Sequence, residues 1–90
     1  YRAIFKILRN YQRNYKLDTI RKMISRWAPE SENNTLAYVM TVSSRSGISP
    51  DDPVSADNRE MMVRIVAAMS FVENGQAAEM SDVIAGWEML

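Results

Sequence analysis

The stretch MISRWAPESENNTLAYV, residues 23–39, decides how the chain is organised. Its first part continues an apolar repeat, Ile20, Met23, Ile24 and Trp27, at the i, i+3, i+4, i+7 spacing of one helix face. Pro29 then disfavours helical geometry at Ala28, so that helix ends near Trp27. Asn33 or Asn34 supplies a side-chain oxygen able to cap a new helix. Residues 23–39 therefore predict two helices joined by a polar turn, and the rest of the chain repeats that grammar.

Working toward the N-terminus, Asp18 or Thr19 can cap the helix that ends at Trp27. Before it, Ile4, Ile7, Leu8, Tyr11 and Tyr15 form one stripe, with Arg2, Lys6, Arg9 and Arg13 opposite, which predicts a strongly amphipathic first helix. Toward the C-terminus, Leu36, Val39, Met40 and Ser43 form the expected inner stripe of a third helix, with Tyr38 and Val42 beside it and Gly47 as its stop. The segment SPDDPVS, residues 49–55, reads as a rigid turn. Ser55 or Asp57 is the expected cap of a fourth helix, whose inner stripe is Met62, Ile65, Val66, Met69 and Val72 and which Gly75 ends. A short fifth helix is expected from about Ser81, carrying Val83, Ile84, Trp87 and Leu90 inward. The fold class is all-α, a compact bundle of four or five short helices.

Ninety residues with 47% apolar and 24% charged side chains suit one helical domain with a single core. Tyr1 already stands in a helical pattern, so the expectation is a fragment of a longer protein. With no cysteine and no histidine, disulfides, thiolate metal sites and histidine-based triads are excluded within the chain, and no cofactor or metal motif is legible. No apolar run reaches the roughly 20 residues that span a bilayer. The formal net charge of zero hides a division: residues 1–26 carry eight basic side chains against Asp18 alone, a net of +7, and the remainder is −7. Such a basic face can bind phosphate, but helix three offers Thr35, Thr41, Ser43 and Ser44 where a base-reading helix would be needed, so nucleic acid is disfavoured and a solvated or intramolecular role preferred.

The residues of the central turn are the candidate binding site: Trp27, Glu30, Glu32, Asn33, Asn34 and Tyr38. Glu30 and Glu32 stand near Trp27, whose ring could raise a carboxyl pKa by desolvation, and glycoside hydrolysis uses paired carboxyls. Their place before a helix N-terminus explains them without catalysis, because negative charge is stabilised there, and capping explains the asparagines equally well. The seven methionines and both tryptophans are expected in the core.

YRAIFKILRNY at 1–11, TIRKMISRWAPESENNTLAYV at 19–39, the turn Gly47-Ile48-Ser49-Pro50-Asp51, and the closing VENG and IAGW elements resemble a family of phage and prophage proteins described as structural or virion proteins. The most specific part is the pattern Ile24, Trp27, Ala28, Pro29, Glu32, Asn33, Thr35 and Tyr38. In that family an Asn-Pro-Gly-Asn-Ile-Arg element precedes the first helix, and this sequence lacks it. The pattern is also distantly similar to the later helices of lysozyme-like cell-wall hydrolases, where an aromatic-proline turn and a tyrosine border the glycan cleft. In those enzymes the catalytic glutamate lies on an earlier helix, so the resemblance gives no catalytic role to Glu30 or Glu32. What it implies is a non-catalytic structural or binding module, with other virion proteins or peptidoglycan as partners. The alternatives are a helical lobe of a peptidoglycan hydrolase whose catalytic residues lie upstream, and a nucleic-acid-binding module using the basic first helices.

Overall fold

The computed structural model describes all of residues 1–90 and contains five helices and no strand. They are α1 (Arg2–Tyr15), α2 (Ile20–Trp27), α3 (Thr35–Ser46), α4 (Arg59–Asn74) and α5 (Met80–Glu88). Their ends follow local chemistry. Thr19 caps α2 by accepting the Lys22 N–H at 3.1 Å, Asn34 caps α3 through the Ala37 N–H, and Asn58 caps α4 through the Met61 N–H. The cap of α4 is therefore Asn58 rather than Ser55 or Asp57; Ser55 instead accepts from the Asp57 N–H in the preceding turn. Gly47 and Gly75 close α3 and α4 in left-handed geometry, with φ of 74° and 71°. Lys16 takes the same geometry after α1 at φ 55°, a conformation that costs a residue with a Cβ more than it costs glycine.

A continuous cluster of 18 buried apolar residues joins the five helices. The middle of it is α4, which packs against α1, α3 and α5 and buries Met62, Ile65, Val66 and Met69, four of the five residues of the expected stripe, together with Val63 and Ala68; the fifth, Val72, is only partly buried. An element touched on several sides cannot keep a single narrow stripe. From α1 the buried side chains are Phe5 and Leu8, while Ile7 and Tyr15 lie exposed, so the inward face is rotated from the one the apolar spacing suggested. Phe5 meets the half-buried Trp87 of α5 edge to face, with centroids 5.4 Å apart.

The larger departure is α3. Leu36 and Met40, two members of its expected inner stripe, are 59% and 50% exposed. The buried face runs through Thr35, Tyr38, Val39, Val42 and Ser46, a helical repeat in its own right. Two of its members are polar and drop out of an apolar count. Each is satisfied: the Thr35 hydroxyl donates to the Ala28 carbonyl, and the Ser46 hydroxyl bonds the Ser43 carbonyl and the Ile48 N–H. The methionines likewise divide, with Met23, Met62 and Met69 buried and Met40, Met80 and Met89 exposed.

The turn at 49–55 is tied to the start of α2. The Arg21 N–H donates to the Pro50 carbonyl at 3.0 Å, the Val54 N–H donates to the Asp18 carbonyl at 2.8 Å, and the Arg21 guanidinium grips Asp51 through two bonds of 2.8 and 3.2 Å. The basic first part of the chain is thereby clipped to the acidic remainder.

Candidate functional site: the cleft between α3 and the end of α4

The junction between α2 and α3 is built as a rigid corner. The N–H groups of Glu32 and Asn33 both reach the Pro29 carbonyl at 3.1 Å, and Thr35 returns to Ala28. This brings Trp27, at the end of α2, against Tyr38 on the first turns of α3. The indole N–H donates to the Tyr38 hydroxyl at 3.1 Å, and that hydroxyl in turn donates to Glu73 Oε1 at 3.4 Å near the end of α4. Three helices are linked by one phenol. Burial, then the neighbouring Glu73 charge, push the Tyr38 pKa up to about 12, with the Trp27 hydrogen bond opposing them.

Beside this relay lies a cavity of about 280 Å³ lined by Asn33, Asn34, Ala37, Tyr38, Thr41 and Val72. Three of the candidate residues, Asn33, Asn34 and Tyr38, thus come together, and Trp27 stands behind Tyr38 as its hydrogen-bond donor. Asn34 spends its carbonyl oxygen on the helix cap, whereas the only contact of the Asn33 amide is a long 3.4 Å bond to the Pro29 carbonyl. Glu30 and Glu32 are exposed on the outside of the turn and line no part of the cavity. The carboxylate that does belong to the region is Glu73, which nothing in the central turn announces; it lies 35 positions from its partner Tyr38. Nowhere do three acidic side chains gather in a way that could hold a metal ion.

The basic face of α1 and α2 is partly consumed within the chain. Arg13 pairs with Asp57, Arg21 with Asp51 and Lys22 with Asp18. Arg2 donates to the Met89 carbonyl, and Arg26 lies over the rings of Tyr15 and Tyr11 at 4.6 and 5.8 Å. Lys6, Arg9 and Lys16 make no ion pair. No helix is long and apolar enough to cross a membrane.

Comparison with known proteins adds one relationship. The chain is similar to Protein P5 of Pseudoalteromonas phage PM2, at 39% identity over 74 residues, which is 82% of this chain and 44% of that protein. The sequence is related to a phage protein. The chain spans less than half the length of that relative. No known family profile matches the sequence, and no solved structure matches it.

Proposed function

We propose that this chain is a non-catalytic binding module of a phage virion-associated protein, and that the cleft lined by Asn33, Tyr38 and Thr41 holds neutral sugar hydroxyls and amides of a glycan, such as the sugar chain of peptidoglycan. The observation that carries the reading is the chemistry of the lining: amides and hydroxyls over a small apolar floor of Ala37 and Val72, with no charged side chain among them. A few placed polar groups on an apolar wall are the usual composition of a small-ligand site. Similarity to a phage protein supports the virion setting. A hydrolytic role has less support, because glycoside cleavage generally employs two carboxyls across the scissile bond. Here Glu73 is engaged by Tyr38, and Glu30 and Glu32 are exposed and line no part of the cleft. Duplex DNA is the poorer fit as well, since most of the basic side chains on α1 and α2 already have partners within the chain.

Co-sedimentation with purified peptidoglycan tests the reading. The protein is expected to pellet with the polymer without clearing its turbidity, and Asn33→Ala combined with Thr41→Ala is expected to reduce pelleting while leaving the thermal melt in place. A protein that stays in the supernatant, or a double variant that pellets as well as the parent, rejects the cleft as a glycan site. Clearing of the suspension rejects the non-catalytic role.

A further inference from the structure

Toward the other end of α3 lies a second cavity, of about 240 Å³, between the C-terminal part of that helix, the middle of α4 and the segment leading into α5. Its lining is Arg45 and Arg64 together with four alanines, at 67, 68, 77 and 78, and Met80. No acidic side chain lines it. The Arg45 guanidinium carbon lies 3.7 Å from the centroid of the Phe71 ring, and its side chain makes no ion pair and no hydrogen bond within the chain. Stacking on an aromatic face holds a guanidinium in place while its N–H donors, which lie in its own plane, stay free for a carboxylate. Arg64 pairs with Glu60 one turn earlier through a single nitrogen, Nη2, and keeps its other donors.

From this cavity we infer a second binding site, one for the free carboxylate end of a peptide whose last residue is small and apolar. Two arginines supply charge and forked donors to a planar carboxylate. The alanines leave room for a methyl-sized side chain and offer nothing polar to a larger headgroup. At about 240 Å³ the cavity, like the cleft of about 280 Å³ beside Tyr38, is smaller than the roughly 300–1,000 Å³ of pockets that bury a drug-sized molecule, so each holds part of a longer chain, here a chain end. A tetrahedral phosphate would find two arginines but an otherwise apolar wall. This site stands on residues separate from those of the glycan cleft, and its outcome is independent of that reading.

The probe is N-acetyl-Ala-Ala as the free acid, titrated into isotope-labelled protein and followed by amide and arginine side-chain NMR shifts. Its C-terminal amide and inorganic phosphate serve as separate titrants. Saturable shifts at Ala67, Ala68, Ala77 and Ala78 are expected with the acid at or below about 1 mM. The amide should produce none, and Arg45→Gln, on an exposed position, should weaken the acid by about 10-fold or more while keeping the dispersed spectrum of a folded chain. Absence of shifts, equal shifts with the amide, or unchanged binding by Arg45→Gln overturns the site. Phosphate binding as tightly as the acid overturns the peptide-end assignment in favour of a general anion pocket.

Discussion

The Trp27 indole N–H donates to the Tyr38 hydroxyl at 3.1 Å, and this bond fastens the end of α2 to the start of α3 across the proline turn. Tyr38 is almost wholly buried, so deleting its hydroxyl leaves the Trp27 donor and Glu73 without their shared partner. Because Trp27 is half-buried and Glu73 exposed, both can turn to solvent, and Tyr38→Phe is expected to cost about 0.5–1.5 kcal/mol in chemical denaturation, the net worth of one hydrogen bond. Trp27→Phe removes the same bond from the other side and also shortens the ring. The double variant should therefore lose less than the sum of the two single losses, as coupled neighbours do. Strict additivity would mean the pair does not act together.

The same phenol sets a pH response. An unperturbed tyrosine ionises near 10, and Tyr38 is pushed up to about 12 by burial and by Glu73. Because the folded value lies above the unfolded one, the neutral phenol contributes stability that is fully present below about 10 and is lost as pH rises through about 12. Tyrosinate absorbance of the native protein should include a late ionisation from Tyr38. Tyr38→Phe should abolish that late step, and Glu73→Gln should move it downward by removing the repelling charge. At the acid end, the hydrogen bond from Arg21 holds the Asp51 carboxyl below its usual range, so its contribution is present above the ordinary carboxylate pKa and fades as pH falls through the depressed value. Asp51→Asn should remove that acid-side dependence.

How far these features were legible depends on the distance over which each is determined. Thr19, Asn34, Gly47 and Gly75 act within a turn of their own position, and their residue types announce them. The five helices and the helical class followed from such signals plus apolar spacing. In sequence Asn58 does not stand out from Ser55 and Asp57, which offer the same chemistry nearby, and only the path of the 49–55 turn selects among them. The buried face of α3 differs from the apolar stripe because Thr35 and Ser46 count as polar in sequence, while in the fold their hydroxyls are satisfied by backbone groups. Of the cleft, Asn33, Asn34 and Tyr38 were readable as a polar turn. Glu73 was not, since only the packing of α4 against α3 brings it to Tyr38. Arg45 escaped for the same reason: its stacking on Phe71 is a tertiary contact with no local signature.

The rotation of α3 makes a direct stability prediction. Leu36→Gln and Met40→Gln alter side chains that are half exposed or more, so each should shift the unfolding free energy by no more than about 0.5 kcal/mol. Val39→Ala, one position from Met40 but fully enclosed, should cost about 1–3 kcal/mol by loss of apolar contact and the void it leaves. Equal losses at positions 36, 39 and 40 would restore the apolar stripe and contradict the inward face described above.

Gly86 sets propensity against packing. In a solvated helix, replacing glycine by alanine stabilises by about 1 kcal/mol, because alanine restricts the unfolded chain and glycine does not. At position 86 of α5, however, an added Cβ would stand 2.8 Å from the Tyr1 Cβ, 3.0 Å from the Arg2 nitrogen and 3.2 Å from the Tyr1 carbonyl carbon. Two of those three atoms are backbone, which cannot yield by changing a rotamer. The start of α1 is also held where it is, since the Tyr1 hydroxyl bonds Ser70 at 3.1 Å and Arg2 reaches the Met89 carbonyl at 3.1 Å. Relief of the clash therefore requires α1 and α5 to separate, which would loosen the edge contact between Phe5 and Trp87. Overpacking of this kind costs about 1–3 kcal/mol, enough to outweigh the propensity gain. Gly86→Ala should consequently lower the melting temperature, and a rise would show that the two helices do not approach this closely in solution.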